Sequence, residues 1–281
     1  MSVTSRALKR VSTPFRGWSP ALVIGILLVA GLVSIALVPD LFTGSDPLGT
    51  DVRGALASPG ADHLFGSDNL GRDIWSRVVH GTRTSLAMAL GATVISVLVG
   101  TLLGVLAGIW GRGVDRVLSR GFDVLFAFPD ILIALVVIAM LGPGSVNATI
   151  AIGVGGIPGF ARLVRGEVIR LRDAGFVEAA TLLGLPNLRV ALRHTVPNAL
   201  GPVIILATLN VGSTIISVSA LSFLGFGAPP PTPEWGLMLA EGRLYLSAAP
   251  WMCLAPGIAI TVAVIAFTLT GRGLRRQLIR A

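Results

Sequence analysis

The sequence predicts an all-α, polytopic membrane protein with six transmembrane helices, and three observations lead there. Only 13% of the 281 residues are charged while 53% are hydrophobic. A soluble globular chain carries about 25% charged residues. Mean hydropathy is +0.82. Uncharged stretches recur that are long enough for the about 20 apolar helical residues needed to cross a ~30 Å hydrocarbon core. Finally, the connections between those stretches alternate between arginine-rich and arginine-poor. The composition excludes disorder, which needs low hydrophobicity, and argues against a water-soluble enzyme domain.

The spans follow in order. Ala21 to Val38 is the first, bounded by Pro20 and Pro39-Asp40. Its apolar run is long for a signal peptide and no A-x-A site follows, so it is expected to be retained. Ser85 to Trp110 is the second. The uncharged run from Ile131 to Ala161 is too long for one helix, and Gly142-Pro143-Gly144 divides it into a third span, Phe122 to Leu141, and a fourth, Ser145 to Ala161. A fifth is placed at Ala199 to Ala220, with Ser222 to Pro233, rich in Gly and Pro, as a loop or re-entrant segment. Trp251 to Thr270 is the sixth.

Charge sets the orientation. One set of connections and termini holds seventeen of the 22 basic residues, from Arg6 through Arg112, Arg162 and Arg193 to Arg280. The opposite set holds five: Arg53, Arg72, Arg77, Arg83 and Arg243. The positive-inside rule then places both termini in the cytoplasm. With their acids included, the two sets carry +13 and −3, and Asp123 and Asp130 within the third span complete the total of +8. The basic balance is therefore read as topology and not as a nucleic-acid footprint. Trp18, Trp110 and Trp251 fall at span ends, and Trp75 and Trp235 in outer loops.

Several residues stand out inside the spans. Ala92, Ser96, Gly100, Gly104 and Gly108 recur every four residues and form one small-residue stripe on the second span. Small residues let helix backbones approach closely in lipid. Two readings stay open for the stripe: packing within the chain, or an interface with a second membrane subunit. The fourth span carries Gly153, Gly155, Gly156, Pro158 and Gly159 and is a poor helix by propensity. A broken helix lining a cavity and simple close packing are its two readings. Asp130, with Gly156 and Pro158, is the candidate pathway group, because an acid within a span is a functional-site hypothesis. Asp123 lies nearer Arg116 and Arg120 and is expected to pair or be solvated.

Catalytic chemistry is poorly provided for. Cys253 is the single cysteine, the three histidines are isolated, and there is no G-x-x-x-x-G-K-[ST] phosphate loop. The chain is therefore expected to bind no metal or cofactor and not to be an enzyme. Asp68, Arg72 and Asp73 are expected to form a solvated pairing network tying the outer segment to the bundle, with contact to an external protein as the alternative.

The segment from Arg162 to Arg193 is charged and amphipathic. It reads Glu178-Ala179-Ala180-Thr181-Leu182-Leu183-Gly184, then Leu185-Pro186-Asn187, and closes on His194-Thr195-Val196-Pro197-Asn198. Gly184 suits the left-handed residue that ends a helix, so a short helix across one mouth of the bundle is expected. This pattern resembles the E-A-A-x3-G-x9-I-x-L-P signature of bacterial ABC importer permeases. Glu178, Ala179, Ala180, Gly184 and Pro197 match it, while His194 and Val196 depart in the H-x-x-P-N manner of the peptide-transport branch. Phe65-Gly66-Ser67-Asp68-Asn69-Leu70-Gly71-Arg72-Asp73, then Ser76-Arg77 to Gly81-Thr82-Arg83-Thr84-Ser85-Leu86, resemble the dipeptide, oligopeptide and nickel importer permeases of C type. So do Ser222-Phe223-Leu224-Gly225-Phe226-Gly227 through Glu234-Trp235-Gly236, and Pro256-Gly257 with the closing Gly271-Arg272-Gly273-Leu274-Arg275. Arg272 replaces the usual acidic residue there, so no role is carried to that position.

The resemblance implies a type I ABC importer transmembrane fold in a bacterial cytoplasmic membrane. Residues 1–82 would hold the N-terminal tail, first span and external segment. Residues 83–281 would form the ABC transmembrane domain, with a coupling loop at about 162–197. It implies a homologous second permease subunit, two ATPase subunits that bind ATP and Mg, an external solute-binding protein and surrounding lipid, with no nucleic acid. Peptides are the implied solute, nickel or another small solute the alternative. A secondary transporter needs midplane ion sites and often inverted repeats, and no clear inverted repeat is present.

Overall fold

The computed structural model describes residues 19–172, 174–175 and 186–278. Nine α-helices carry the described fold: α1 (Pro20–Leu37), α2 (Ile74–Ile109), α3 (Gly111–Phe126), α4 (Asp130–Leu141), α5 (Ser145–Arg172), α6 (Asn187–Val190), α7 (Val196–Phe223), α8 (Trp235–Gly242) and α9 (Trp251–Leu278). A π-helical turn, Ala191–Thr195, joins α6 to α7. Among the described residues five helices are long and apolar enough to cross a membrane, and a sixth span is counted if α3 and α4 are taken together.

The third span is where the structure departs most from the sequence reading. Instead of one helix over Phe122 to Leu141, α3 and α4 meet at 96° across Ala127, Phe128 and Pro129. Proline disfavours helical geometry in the residue before it and cannot supply its own backbone N–H. The break therefore falls at Phe128-Pro129. Conversely, the glycine-rich fourth span is unbroken: α5 runs through Pro158 for 28 residues. Gly153 and Gly156 are compensated by contact with α2. A Cβ on Gly153 would come within 2.8 Å of the Ile95 side chain on α2.

α5 also runs past Ala161 to Arg172, so residues 162–172 of the expected coupling loop are helix. Val164, Val168 and Leu171 recur at helical spacing and are buried with Ala199 and Val203 of α7. That apolar stripe keeps the helix going while Arg162, Arg165 and Arg170 leave from other faces. In the same way α2 starts eleven residues before Ser85. Its 36 residues reach about 54 Å, well beyond a ~30 Å core. A division at 82 and 83 falls inside this helix.

Packing is dominated by the α2–α5 pair, which the stripe residues make close. A Cβ on Gly100 would meet the Phe160 side chain at 2.6 Å, and one on Gly104 the Ala161 carbonyl oxygen at 2.6 Å. Ser96 donates through Oγ to the Gly153 carbonyl at 2.7 Å. α1 lies against α9 through a second glycine pair: Gly25 abuts Thr270, and Gly273 abuts Leu22. Trp235, expected in an outer loop, is the first residue of α8. It is fully buried, its Nε1 donating to the Val78 carbonyl at 3.0 Å. Trp75 opens α2 and donates to the Phe42 carbonyl at 3.1 Å.

Two ends of the bundle are distinguished by their connections. The loop end carries residues 38–73 and α8. The arginine end carries α3, the last turns of α5, α6 and the π-helical turn.

Candidate functional site

At the loop end the chain folds around a buried charge network. Asp73 caps α2 by accepting the Ser76 amide at 2.8 Å and meets His63 Nδ1 at 3.0 Å. Five residues earlier a tight turn begins, with the Gly71 amide donating to the Asp68 carbonyl at 3.0 Å. Asp68 accepts backbone N–H donors from Leu70 and Arg72 at 2.8 and 3.0 Å, and its other oxygen takes Arg72 Nε at 2.6 Å. Gly71, at φ 75°, lies against the Asp51 backbone, where a Cβ has no room. Arg77, one turn into α2, reaches Asp68 at 3.7 Å and Glu241 of α8 at 3.0 Å. Arg72 reaches the same Glu241 oxygen at 3.4 Å.

Asp68, Arg72 and Arg77 are 3%, 3% and 1% exposed, so the network is buried and not solvated as the sequence suggested. It also bypasses Asp73. Its extra members, Arg77 and Glu241, are 164 residues apart, a separation that carries no local sequence signal. A cavity of about 340 Å³ opens beside it, lined by Asn69, Arg72, Glu241 and Tyr245 among others. Trp251 fastens α9 to this end by donating to the Ser67 carbonyl at 3.1 Å.

Glu234 forms a second buried acid site. It caps α8, accepting from Gly236 and Leu237 amides at 2.9 and 2.8 Å and from Ser85 Oγ at 3.2 Å. Burial pushes its carboxyl above the ordinary glutamate range, against the pull of those donors.

The arginine end is organised differently. Arg165 of α5 grips Asp115 of α3 with two donors, Nη2 at 2.8 Å and Nε in closer contact, and Ser119 Oγ donates to the same carboxylate at 3.1 Å. Arg162 meets Asp123 at 2.8 Å and stacks 4.0 Å over the Phe126 ring. Arg172 donates to the Gly108 carbonyl at the end of α2, at 3.0 Å. Asp123 thus pairs with α5, not with its own helix neighbours Arg116 and Arg120.

The remaining sequence-selected residues are placed as follows. Glu178, Ala179, Ala180 and Gly184 lie outside the described residues. His194 sits in the π-helical turn with its side chain outside the description, and Pro197 is exposed at the start of α7. Asp130 is exposed at the first turn of α4, its backbone beside Gly155. Gly156 instead faces Ser96 of α2 and Pro158 is buried. These three therefore do not converge on one point. Among the described residues, no group of three or more His, Cys, Asp and Glu is placed to hold a metal ion.

A bundle of long apolar helices, stapled at one end by buried ion pairs and bearing arginine at the other, defines a multi-pass membrane component. Residues 100–281 match the family described as binding-protein-dependent transport system inner membrane component, and the chain belongs to that family. It is 43% identical to the dipeptide transport system permease protein DppC of Alkalihalophilus pseudofirmus, over 91% of this chain and 84% of that one. It is 38% identical to the glutathione transport system permease protein GsiD of Pectobacterium atrosepticum, over 96% and 92%. In fold it is similar to a solved chain of the inward-facing MetNI methionine ABC transporter, with TM-score 0.58 and 19% identity, covering 71% of this chain and 95% of that one. The chain is thus a transporter permease subunit of the inner membrane.

Proposed function

We infer that this chain is the permease subunit of an ATP-driven importer of small peptides. The observation that carries this reading is the likeness, over nine-tenths of the chain, to permeases named for dipeptide and glutathione transport. Both solutes are short peptides or peptide-like molecules. The chain supplies half of the translocation pathway and pairs with a homologous permease subunit. Two ATPase subunits bind ATP and Mg and dock on the arginine end, and an external solute-binding protein delivers peptide to the loop end. This orientation rests on the distribution of arginine.

Glu178 through Gly184 and onward to His194 and Pro197 form the ATPase-coupling segment in this reading. Asp130 belongs to the pathway. It is exposed on the isolated chain beside Gly155, ten residues or about 15 Å along α5 from Ser145. An acid at that depth is costly against lipid and needs water or a polar partner.

Reconstitution tests the reading. Proteoliposomes holding this chain with its co-expressed permease, ATPases and binding protein should accumulate labelled dipeptide only with ATP. Peptide uptake by this chain alone, without ATP, would refute it.

A further inference from the structure

We propose that the cleft between α3 and α5 is a binding site for the phosphate headgroup of an anionic phospholipid of the inner leaflet. The proposal rests on the orientation inferred above, which puts the arginine end in the cytoplasm.

α3 has two unlike faces. One presents Asp115, Arg116, Ser119, Arg120 and Asp123 to a cleft of about 290 Å³ that Arg165 closes from α5. The other leaves Val117 72% and Val124 61% exposed, and Phe128 follows at 54%. Among the described residues nothing covers these apolar groups. A helix so divided, turned 96° away from α4, suits the plane of the membrane interface. Its apolar face then enters the acyl region and the cleft opens at headgroup level.

Charge decides the ligand. Asp115 is engaged by Arg165, and Asp123 by Arg162. Both acids of the cleft are thereby neutralised. Arg116 and Arg120, one turn apart on the same face, have no ion-pair partner among the described residues and are exposed. These two guanidiniums offer planar paired donors matched to phosphate oxygens. Basic clefts between helices on the cytoplasmic side suit anionic headgroups. Val117 and Val124, on the other face of the same helix, give the lipid's acyl chains an apolar surface to follow.

The test uses the full chain purified in mild detergent, mixed with phosphatidylglycerol or with phosphatidylcholine and read by native mass spectrometry. Phosphatidylglycerol should be retained and phosphatidylcholine should not. R116Q/R120Q should weaken retention by roughly tenfold or more, given that each basic residue contributes about one decade or less. R116K/R120K should keep most of it, and R275Q/R276Q, at the end of α9, should leave it unchanged. Equal retention by the R116Q/R120Q variant would overturn the proposal. So would full competition by inorganic phosphate, which would mark a free-anion site. Loss of ATPase co-purification with lipid retention intact would mark the cleft as a protein surface and overturn it as well. None of these outcomes depends on the solute, so the importer reading stands or falls separately.

Discussion

The two ends of the bundle use the same chemistry, guanidinium against carboxylate, to different ends. At the loop end two arginines meet two acids, and three of the four groups are almost fully buried. Taking charge out of water is costly unless every group finds its partner, so burial there is matched by balance. At the arginine end the pairs are a quarter to two-thirds exposed, and Arg116 and Arg120 have no ion-pair partner among the described residues. Water tolerates that excess, and exposed pairs contribute little to stability. Burial with balance makes an anchor; exposure with excess makes a surface that meets something else.

That contrast is broken most severely at the loop end. R77A should leave Asp68 and Glu241 short of a cation in a buried site and destabilise the chain by about 3–5 kcal/mol. Fluorescence-detected size exclusion after heating measures this; an unchanged melting point would show the network carries no weight. D115N, at the arginine end, should cost about 1 kcal/mol or less in the same assay. A loss as large as that of R77A would erase the distinction.

Between these lies the α2–α5 seam. G104V places its first carbon against the Ala161 carbonyl, and overpacking of this kind costs about 1–3 kcal/mol. A fully folded, equally stable variant would mean the seam is looser than the structure has it. G159V on α5, where an added Cβ meets nothing within 4 Å, is the matched control.

A smaller effect comes from Glu234. Its carboxyl is raised by burial, so the folded chain holds the proton more tightly than the unfolded one. The associated stability is complete below the ordinary glutamate value and is lost as pH climbs through the raised one. E234Q should flatten that decline in thermal stability between mildly acidic and neutral pH. An identical slope in the variant would assign it to other groups.

Much of this was legible in the chain itself, and the misses have physical causes. α1, α7 and α9 follow from long charge-free runs, because lipid admits little else. The stripe from Ala92 to Gly108 was visible as a period of four, but its partner was not. Only the fold puts Phe160, Ala161 and Val168 of α5 against it. Propensity left a broken helix and close packing both open at Gly153–Gly159, where Gly153 and Gly156 pack on α2 in an unbroken helix, and passed over Phe128-Pro129, where α3 and α4 part. The charge network was half visible. Asp68 and Arg72 sit together in sequence, whereas Glu241 arrives from the far side of the bundle. Extension of α5 to Arg172 was readable from Val164, Val168 and Leu171 once their spacing was set apart from the arginines between them.

The most direct measurement is ATP-dependent peptide uptake by the reconstituted assembly, made with the parent chain and with G184R in the proposed coupling segment. The parent should accumulate labelled dipeptide only when ATP is present. G184R should insert normally, lose ATPase co-purification and fail to import. Normal ATPase capture and import by G184R, or uptake by the parent chain alone without ATP, would contradict the assignment of this chain as an ATPase-coupled permease subunit.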